Sequence, residues 1–225
     1  MDINTTLNKI RLIDKPKNVT SYDVIRYLKN EYPKKTKIGH TGTLDPFATG
    51  LLIILIGKAT KRFDEFSKFK KRYLVTGQFG IETNTYDITG QVENTSNKLI
   101  RKSQLSGILA NYIGEYDQIP PKFSAKKIKG KKAYELARAG VEFKIKPKRI
   151  TCFDIQITCY DFPNFQLDVT CSSGFYIRSL VYEIGHKLGT FATCIELCRT
   201  QIGSYKLKNA SKPNCLLSAK HLRSD

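Results

Sequence analysis

The spacing of hydrophobic and polar positions changes several times along this chain, and each change marks an element. Ile10 to Ile13 reads as a short strand, closed by the turn residues Asp14-Lys15-Pro16-Lys17-Asn18. Thr20, with Asp23 three residues on, forms a capping-box start. Val24, Leu28 and Tyr32 then keep helical spacing up to Pro33. Leu51 to Gly57 is an apolar run flanked by glycines, with the length of a buried strand. Tyr73, Val75, Gly77, Phe79 and Ile81 alternate with other residues and predict a half-buried strand. Tyr86-Asp87-Ile88-Thr89-Gly90 is turn chemistry. Ser103 to Tyr112 predicts a short helix with Leu105, Ile108 and Leu109 inward, and Pro120-Pro121 breaks the pattern. Ala133 to Ala139 predicts another short helix, ended by Gly140. Phe153, Ile155, Ile157 and Cys159 predict one face of a strand, and Phe165, Leu167, Val169 and Cys171 one face of the next. Asp161-Phe162-Pro163-Asn164 joins the two as a hairpin. Ile177, Leu180, Val181, Ile184 and Leu188 mark an amphipathic helix stopped by Gly189. There is no internal repeat and no obvious linker. Strands mixed with few helices predict an α+β fold rather than alternating βαβ units.

Composition narrows the class. With 225 residues and 40% hydrophobic content, the chain supports a proper core. No apolar run approaches the length that spans a membrane, and Met1-Asp2-Ile3-Asn4-Thr5-Thr6 lacks the layout of a signal peptide. The expectation is a soluble, cytoplasmic protein. The six cysteines are Cys152, Cys159, Cys171, Cys194, Cys198 and Cys215, without C-x-x-C spacing. Cys194 and Cys198 are spaced as on one helical face, but buried thiols in a reducing compartment outweigh metal ligands. His40, His186 and His221 form no local metal motif, so no metal is expected.

Net charge is +18, which calls for a polyanionic partner. Half of that excess sits between Lys122 and Arg149, where eleven Lys/Arg face two acids. This stretch, apart from its short helix, reads as an exposed, mobile arm. A second cluster, Lys58 to Arg72, holds seven bases and two acids. The basic residues do not lie opposite an apolar helical face, which disfavours a membrane-surface protein.

The candidate chemistry lies in Lys37 to Leu52, a glycine-punctuated turn carrying one carboxylate, Asp45, with His40 five residues before it. Gly39, Gly42 and Gly50 permit close backbone approach to a ligand or positive φ. The stretch lacks the ending of a phosphate-binding P-loop and is not a dinucleotide fingerprint. As a string, Gly39-His40-Thr41-Gly42-Thr43-Leu44-Asp45-Pro46 through Gly50-Leu51-Leu52 resembles the signature of the TruB family of tRNA pseudouridine synthases. Further motifs follow the family's order. Asp14-Lys15-Pro16 with Thr20-Ser21 resembles its first motif, and Lys71-Arg72-Tyr73 the segment of its active-site tyrosine. Ile119 to Lys127 and Ala133 to Arg138 resemble its basic insertion. Cys171 to Leu180 resembles the motif of its active-site arginine, and Leu197-x-Arg199-Thr200-x-x-Gly203 its last catalytic-domain motif.

The resemblance implies a pseudouridine synthase fold, a mixed and mainly antiparallel sheet flanked by helices. It implies a catalytic domain over residues 1–205, with the basic RNA-clamping insertion at about 120–149 and a short tail over 206–225. It implies isomerisation of uridine 55 in the T-loop of tRNA. Asp45 is the implied nucleophile, Arg178 the cation that keeps it ionised, and Tyr73 the stacking platform for a flipped-out uridine. On spacing alone Arg178 would be a surface arginine on the polar side of its helix. His40, Tyr176, Leu197 and Lys15 match substrate-contacting positions. The isomerisation involves no redox change and demands no cofactor. The expected partner is the tRNA T-arm, met by a monomer without an obligatory protein partner. A non-catalytic RNA-binding or RNA-refolding module is the alternative. A guide-RNA-dependent enzyme of the dyskerin type is disfavoured, because only 20 residues follow Tyr205, too few for the family's C-terminal domain. Three positions depart from the family. Asn18 stands for a usual glycine and is expected to keep a left-handed turn. Asn84 stands for a usual aspartate, removing a negative charge near the site, and Cys198 for a common arginine.

Overall fold

A computed structural model describes residues 8–128 and 130–213. Cys215, His221, the segment Met1 to Thr6 and the end of the tail lie outside the described residues. The early elements are β1 (Ile10–Lys15), α1 (Ser21–Lys29), β2 (Ile38–His40), β3 (Thr49–Ile56), α2 (Phe63–Ser67), β4 (Lys71–Phe79), β5 (Ile81–Thr83) and β6 (Val92–Thr95). Next come α3 (Lys102–Leu109), β7 (Gly114–Gln118), β8 (Lys127–Ile128), β9 (Lys131–Lys132) and α4 (Ala133–Arg138). The last are β10 (Lys148–Asp161), β11 (Asn164–Cys171), α5 (Ile177–Lys187), β12 (Ala192–Ile202) and β13 (Tyr205–Lys206). The architecture is α+β, as the pattern predicted. The chain divides into two compact units, Met1–Arg72 with Cys198–Asp225, and Tyr73–Leu197.

In the first unit β3 is the central strand. It pairs antiparallel with β1, from Ile10 against Leu55 to Lys15 against Gly50, and with β2, His40 against Ile54. The end of β12 joins it in parallel, Arg199 against Gly50. The unbroken apolar run of β3 follows from burial of both its faces. Leu52, Ile54 and Ile56 pack with Ile13 and with Val24, Ile25 and Leu28 of α1, while Leu51, Ile53 and Leu55 pack with Phe66 and Ile202. α1 starts where the capping box placed it: the Thr20 hydroxyl accepts from the Asp23 N–H at 3.0 Å, and Asp23 accepts from the Thr20 N–H at 2.9 Å. Beyond Tyr205, β13 pairs with β12, and Ser211 donates its N–H to the Leu12 carbonyl at 2.9 Å.

In the second unit the strand order is β12, β4, β11, β10, β7, with β10 antiparallel to both its neighbours. Leu180, Val181 and Ile184 of α5 are fully buried. The β4 alternation is as expected as far as Phe79, where Gly80 at φ +88° turns the chain. β10 departs from its predicted face. Register shifts between Cys152 and Asp154 and between Ile157 and Cys159 each insert a residue, so alternation restarts twice. Ile150, Cys152 and Ile155 are buried, whereas Phe153 is 39% exposed and Cys159 is exposed. Cys194 and Cys198 lie on strand β12, not on a helix. The basic stretch holds a small hairpin, β8 against β9, that its composition did not signal. α4 follows as predicted, and Gly140 ends it at φ +66°. Among the described residues, no helix is long and apolar enough to cross a membrane.

Candidate active site

Lys15, His40 and Asp45 belong to the first unit. The loop carrying Asp45 leaves the short strand β2 and returns into β3, the best-buried strand of that unit. Leu44, Phe47 and Ala48 are at most 3% exposed, which leaves Asp45 half-buried between apolar anchors. The Ser21 hydroxyl holds the loop by accepting from the Leu44 N–H at 2.9 Å and donating to the Leu44 carbonyl at 3.1 Å. Of the three glycines, Gly50 has the strict requirement. Its φ is +104°, and a β-carbon there would lie 2.5 Å from the Arg199 carbonyl oxygen, so the close approach is to β12.

Lys15 is 0% exposed. Its ammonium donates to the carbonyls of Val19 (2.7 Å), Pro16 (2.9 Å) and Pro46 (3.3 Å), so it is spent on holding the turn after β1 to the loop of Asp45. Burial pulls its pKa down to about 8, opposed by the negative charge of Asp45. Asn18 has φ +63° and donates its N–H to Pro46 at 2.7 Å, so the left-handed turn expected in place of glycine is kept. His40 is half-buried, and burial followed by the charge of Arg199 lowers its pKa. Its Nδ1 is buried without a hydrogen-bond partner.

Tyr73, Tyr176, Arg178 and Leu197 belong to the second unit. Tyr73 is 9% and Leu197 7% exposed, the first on β4 and the second on β12. Gln118 brackets the backbone of Tyr176 at the start of α5, its Oε1 accepting at 2.8 Å and its Nε2 donating at 3.1 Å. Arg178 is not a surface arginine: it is 4% exposed. Its guanidinium donates to the Thr85 carbonyl (2.8 Å), the Asp87 carboxylate (3.1 Å) and the Phe123 carbonyl (3.0 Å). The other oxygen of Asp87 accepts from the Thr85 hydroxyl and from both the N–H and hydroxyl of Thr89. Asn84 takes a structural place in the same turn, its Oδ1 accepting from the Gln91 N–H at 3.1 Å. Nearby, a cavity of about 760 Å³ is lined by Tyr86, Lys122, Phe123 and Tyr182.

Two residues that spacing did not single out complete this picture. Asp87 read as turn chemistry, yet it is the buried counter-ion of Arg178. Arg199 read as part of a motif, yet it is 1% exposed and donates to the Gly42 and Thr43 carbonyls of the loop before Asp45 and to the Leu51 carbonyl of β3 after it. Among the described residues, no three of His, Cys, Asp and Glu converge as metal ligands would.

The fold is that of pseudouridine synthases. A chain of a Cbf5–Nop10–Gar1 complex superposes with a TM-score of 0.73 at 23% identity, an agreement of fold that covers 97% of this chain. The chain spans 56% of the length of that protein. A sequence model of the TruB family pseudouridylate synthase (N terminal domain) matches residues 29–177. tRNA pseudouridine synthase B of Caldicellulosiruptor saccharolyticus is 45% identical over 91% of this chain and 70% of its own length. Its counterpart in Ureaplasma urealyticum is 40% identical over 91% of both chains, and that in Aquifex aeolicus 43% identical over 93% of this chain and 74% of its own. The chain belongs to the TruB family of pseudouridylate synthases.

Proposed function

We propose that this chain isomerises uridine to pseudouridine in the T-loop of tRNA, at uridine 55. The relatives' shared name, tRNA pseudouridine synthase B, supports the reaction and the RNA class. The observation that carries the assignment of residues is the half-buried Asp45 on a loop braced by buried side chains, in a chain of this family.

Asp45 acts as the nucleophile on a uridine flipped out of the RNA. The bond from N1 to the sugar breaks, the uracil turns, C5 bonds to the sugar, and the proton on C5 is lost while N1 gains one. Arg178 keeps Asp45 ionised, and Asp87 holds Arg178 in place. Tyr73 stacks on the base and moves a proton. Tyr176 and Leu197 line the base pocket. His40, with its unpartnered Nδ1, contacts the RNA beside the vacated base, and Lys15 holds the loop that meets the substrate. The chain works as a monomer, without an obligatory protein partner, in the cytoplasm.

The test is tritium release from a tRNA transcript labelled at uridine C5, using the purified chain alone. Wild type is expected to release it from uridine 55, and Asp45→Asn to release none while still binding tRNA. Binding without release by wild type would instead make the chain an RNA-binding module.

A further inference from the structure

The loop from Thr41 to Ala48 forms neither helix nor strand, and within it the Ala48 N–H donates to the Asp45 carbonyl at 3.1 Å. Bonds from other segments stiffen it further. Ser21 and Lys15 hold single points, at Leu44 and Pro46. Arg199 does something different. Its Nε donates to the Leu51 carbonyl at 2.8 Å, Nη2 to the Gly42 carbonyl at 3.0 Å and Nη1 to the Thr43 carbonyl at 3.4 Å. Gly42 and Thr43 precede Asp45, and Leu51 follows it. One rigid, planar cation thus ties the start of the loop, at Gly42 and Thr43, to strand β3 at Leu51, beyond the point where the β2–β3 ladder and the Thr41 N–H bond to the Ile53 carbonyl (3.1 Å) leave off. The backbone of Arg199 is seated as well, since it faces Gly50 in the parallel register and leaves no room there for a β-carbon.

We propose that Arg199 is a positioning residue: by tying the start of the loop to strand β3 it sets where the Asp45 carboxylate lies, and it governs the chemical step rather than tRNA binding. The inference rests on Asp45 being the nucleophile. Burial suits the role, because Arg199 is 1% exposed and the Leu51 carbonyl it meets is buried and needs a donor, while the Gly42 carbonyl is half-buried. A lysine would keep the charge but lose the fork that reaches three acceptors.

The experiment compares wild type, Arg199→Lys, Arg199→Gln and Leu105→Ala. Leu105 is a fully buried residue of α3 and serves as a control that loses stability without touching the loop. Single-turnover tritium release, tRNA affinity, thermal melting and amide exchange across residues 42–48 are read for each. Arg199→Lys is expected to slow release roughly 100-fold per folded enzyme, since a misplacement near 1 Å costs about that much. Its tRNA affinity should stay within about threefold, the mark of an interaction used in the transition state. Exchange across 42–48 should accelerate. Arg199→Gln should do the same to a greater degree, and Leu105→Ala should keep its rate per folded enzyme. A wild-type rate in Arg199→Lys, a loss explained by affinity, an equal loss in Leu105→Ala, or unchanged loop exchange would each overturn the inference. Failure of wild type to release tritium would instead sink the reading it rests on, and loop exchange would still decide the bracing.

Discussion

The guanidinium of Arg178 is enclosed by two carbonyls and one carboxylate, and it keeps 4% of its exposure. Removing that carboxylate takes a charged partner from a cation that is almost wholly buried. Asp87→Ala is expected to destabilise the fold by about 3–5 kcal/mol in urea titration, the cost of breaking a buried pair from one side. Thr89→Ala, which removes one of the donors to Asp87, should cost nearer 1 kcal/mol. Equal effects would show that the pair is not buried in solution. A second, half-buried acid gives a pH signature. Burial pushes Glu183 up to about 7 from 4.5. Between those values the folded state holds a proton that the unfolded chain has released, so stability from this group is complete below about 4.5 and is lost as pH rises through about 7. Glu183→Gln should therefore raise the melting temperature more at pH 8 than at pH 5; an equal gain at both would refute the shift. Asp45 was legible as a string. The burial of Arg178 was not, because helical spacing put it on the polar side of α5. The acid that receives it lies 91 residues away in a turn, beyond the reach of any local pattern.

Gly77 occupies an inward position of β4, where alternation calls for an apolar side chain. The Phe165 ring of β11 fills that space, and a β-carbon on Gly77 would lie 2.3 Å from the ring. Phe165 also meets Phe79 at 4.4 Å between centroids, so it has nowhere to retreat. Gly77→Ala is expected to cost about 1–3 kcal/mol by overpacking. Adding Phe165→Leu should recover part of that loss, giving a favourable coupling in a double-mutant cycle. Strict additivity would show that the ring does not fill the space. Strands that keep one uninterrupted period, β3, β4 and β11, were legible in the sequence, as were the capping box of α1 and the length of α5. β10 was legible as a strand but not in its facing. A bulge is set by pairing with a partner strand, and nothing in Cys152-Phe153-Asp154 itself announces which residue will be extra.

The excess of positive charge was plain in the sequence, whereas the order within the basic stretch was not. Two backbone bonds tie it down: the Ala133 N–H donates to Lys126 at 2.8 Å and the Tyr134 N–H to Ser124 at 3.1 Å, with Ala133 and Ser124 buried. Around that anchor Lys122, Lys127, Lys131 and Lys132 are exposed. Not every base of the stretch is available to a polyanion, since Arg149 faces Glu115 at 3.4 Å and Asp117 at 3.8 Å. The second basic cluster is thinner still: Arg62 is held by Glu65, and Lys71 is 6% exposed with its ammonium on the Ser67 carbonyl. Formal charge thus overstates the electrostatic footprint, and the hairpin lysines are among the exposed bases that supply it. Replacing Lys127, Lys131 and Lys132 together by alanine should lower the slope of log affinity against log salt by about 2–3, at about 0.7–0.9 for each phosphate left without its lysine. The rate of pseudouridine formation at saturating tRNA should stay at the wild-type value, because none of the three belongs to the proposed catalytic set. An unchanged slope would place the RNA-binding surface elsewhere on the chain. A lower saturated rate would mean that the hairpin shapes the bound RNA as well as attracting it.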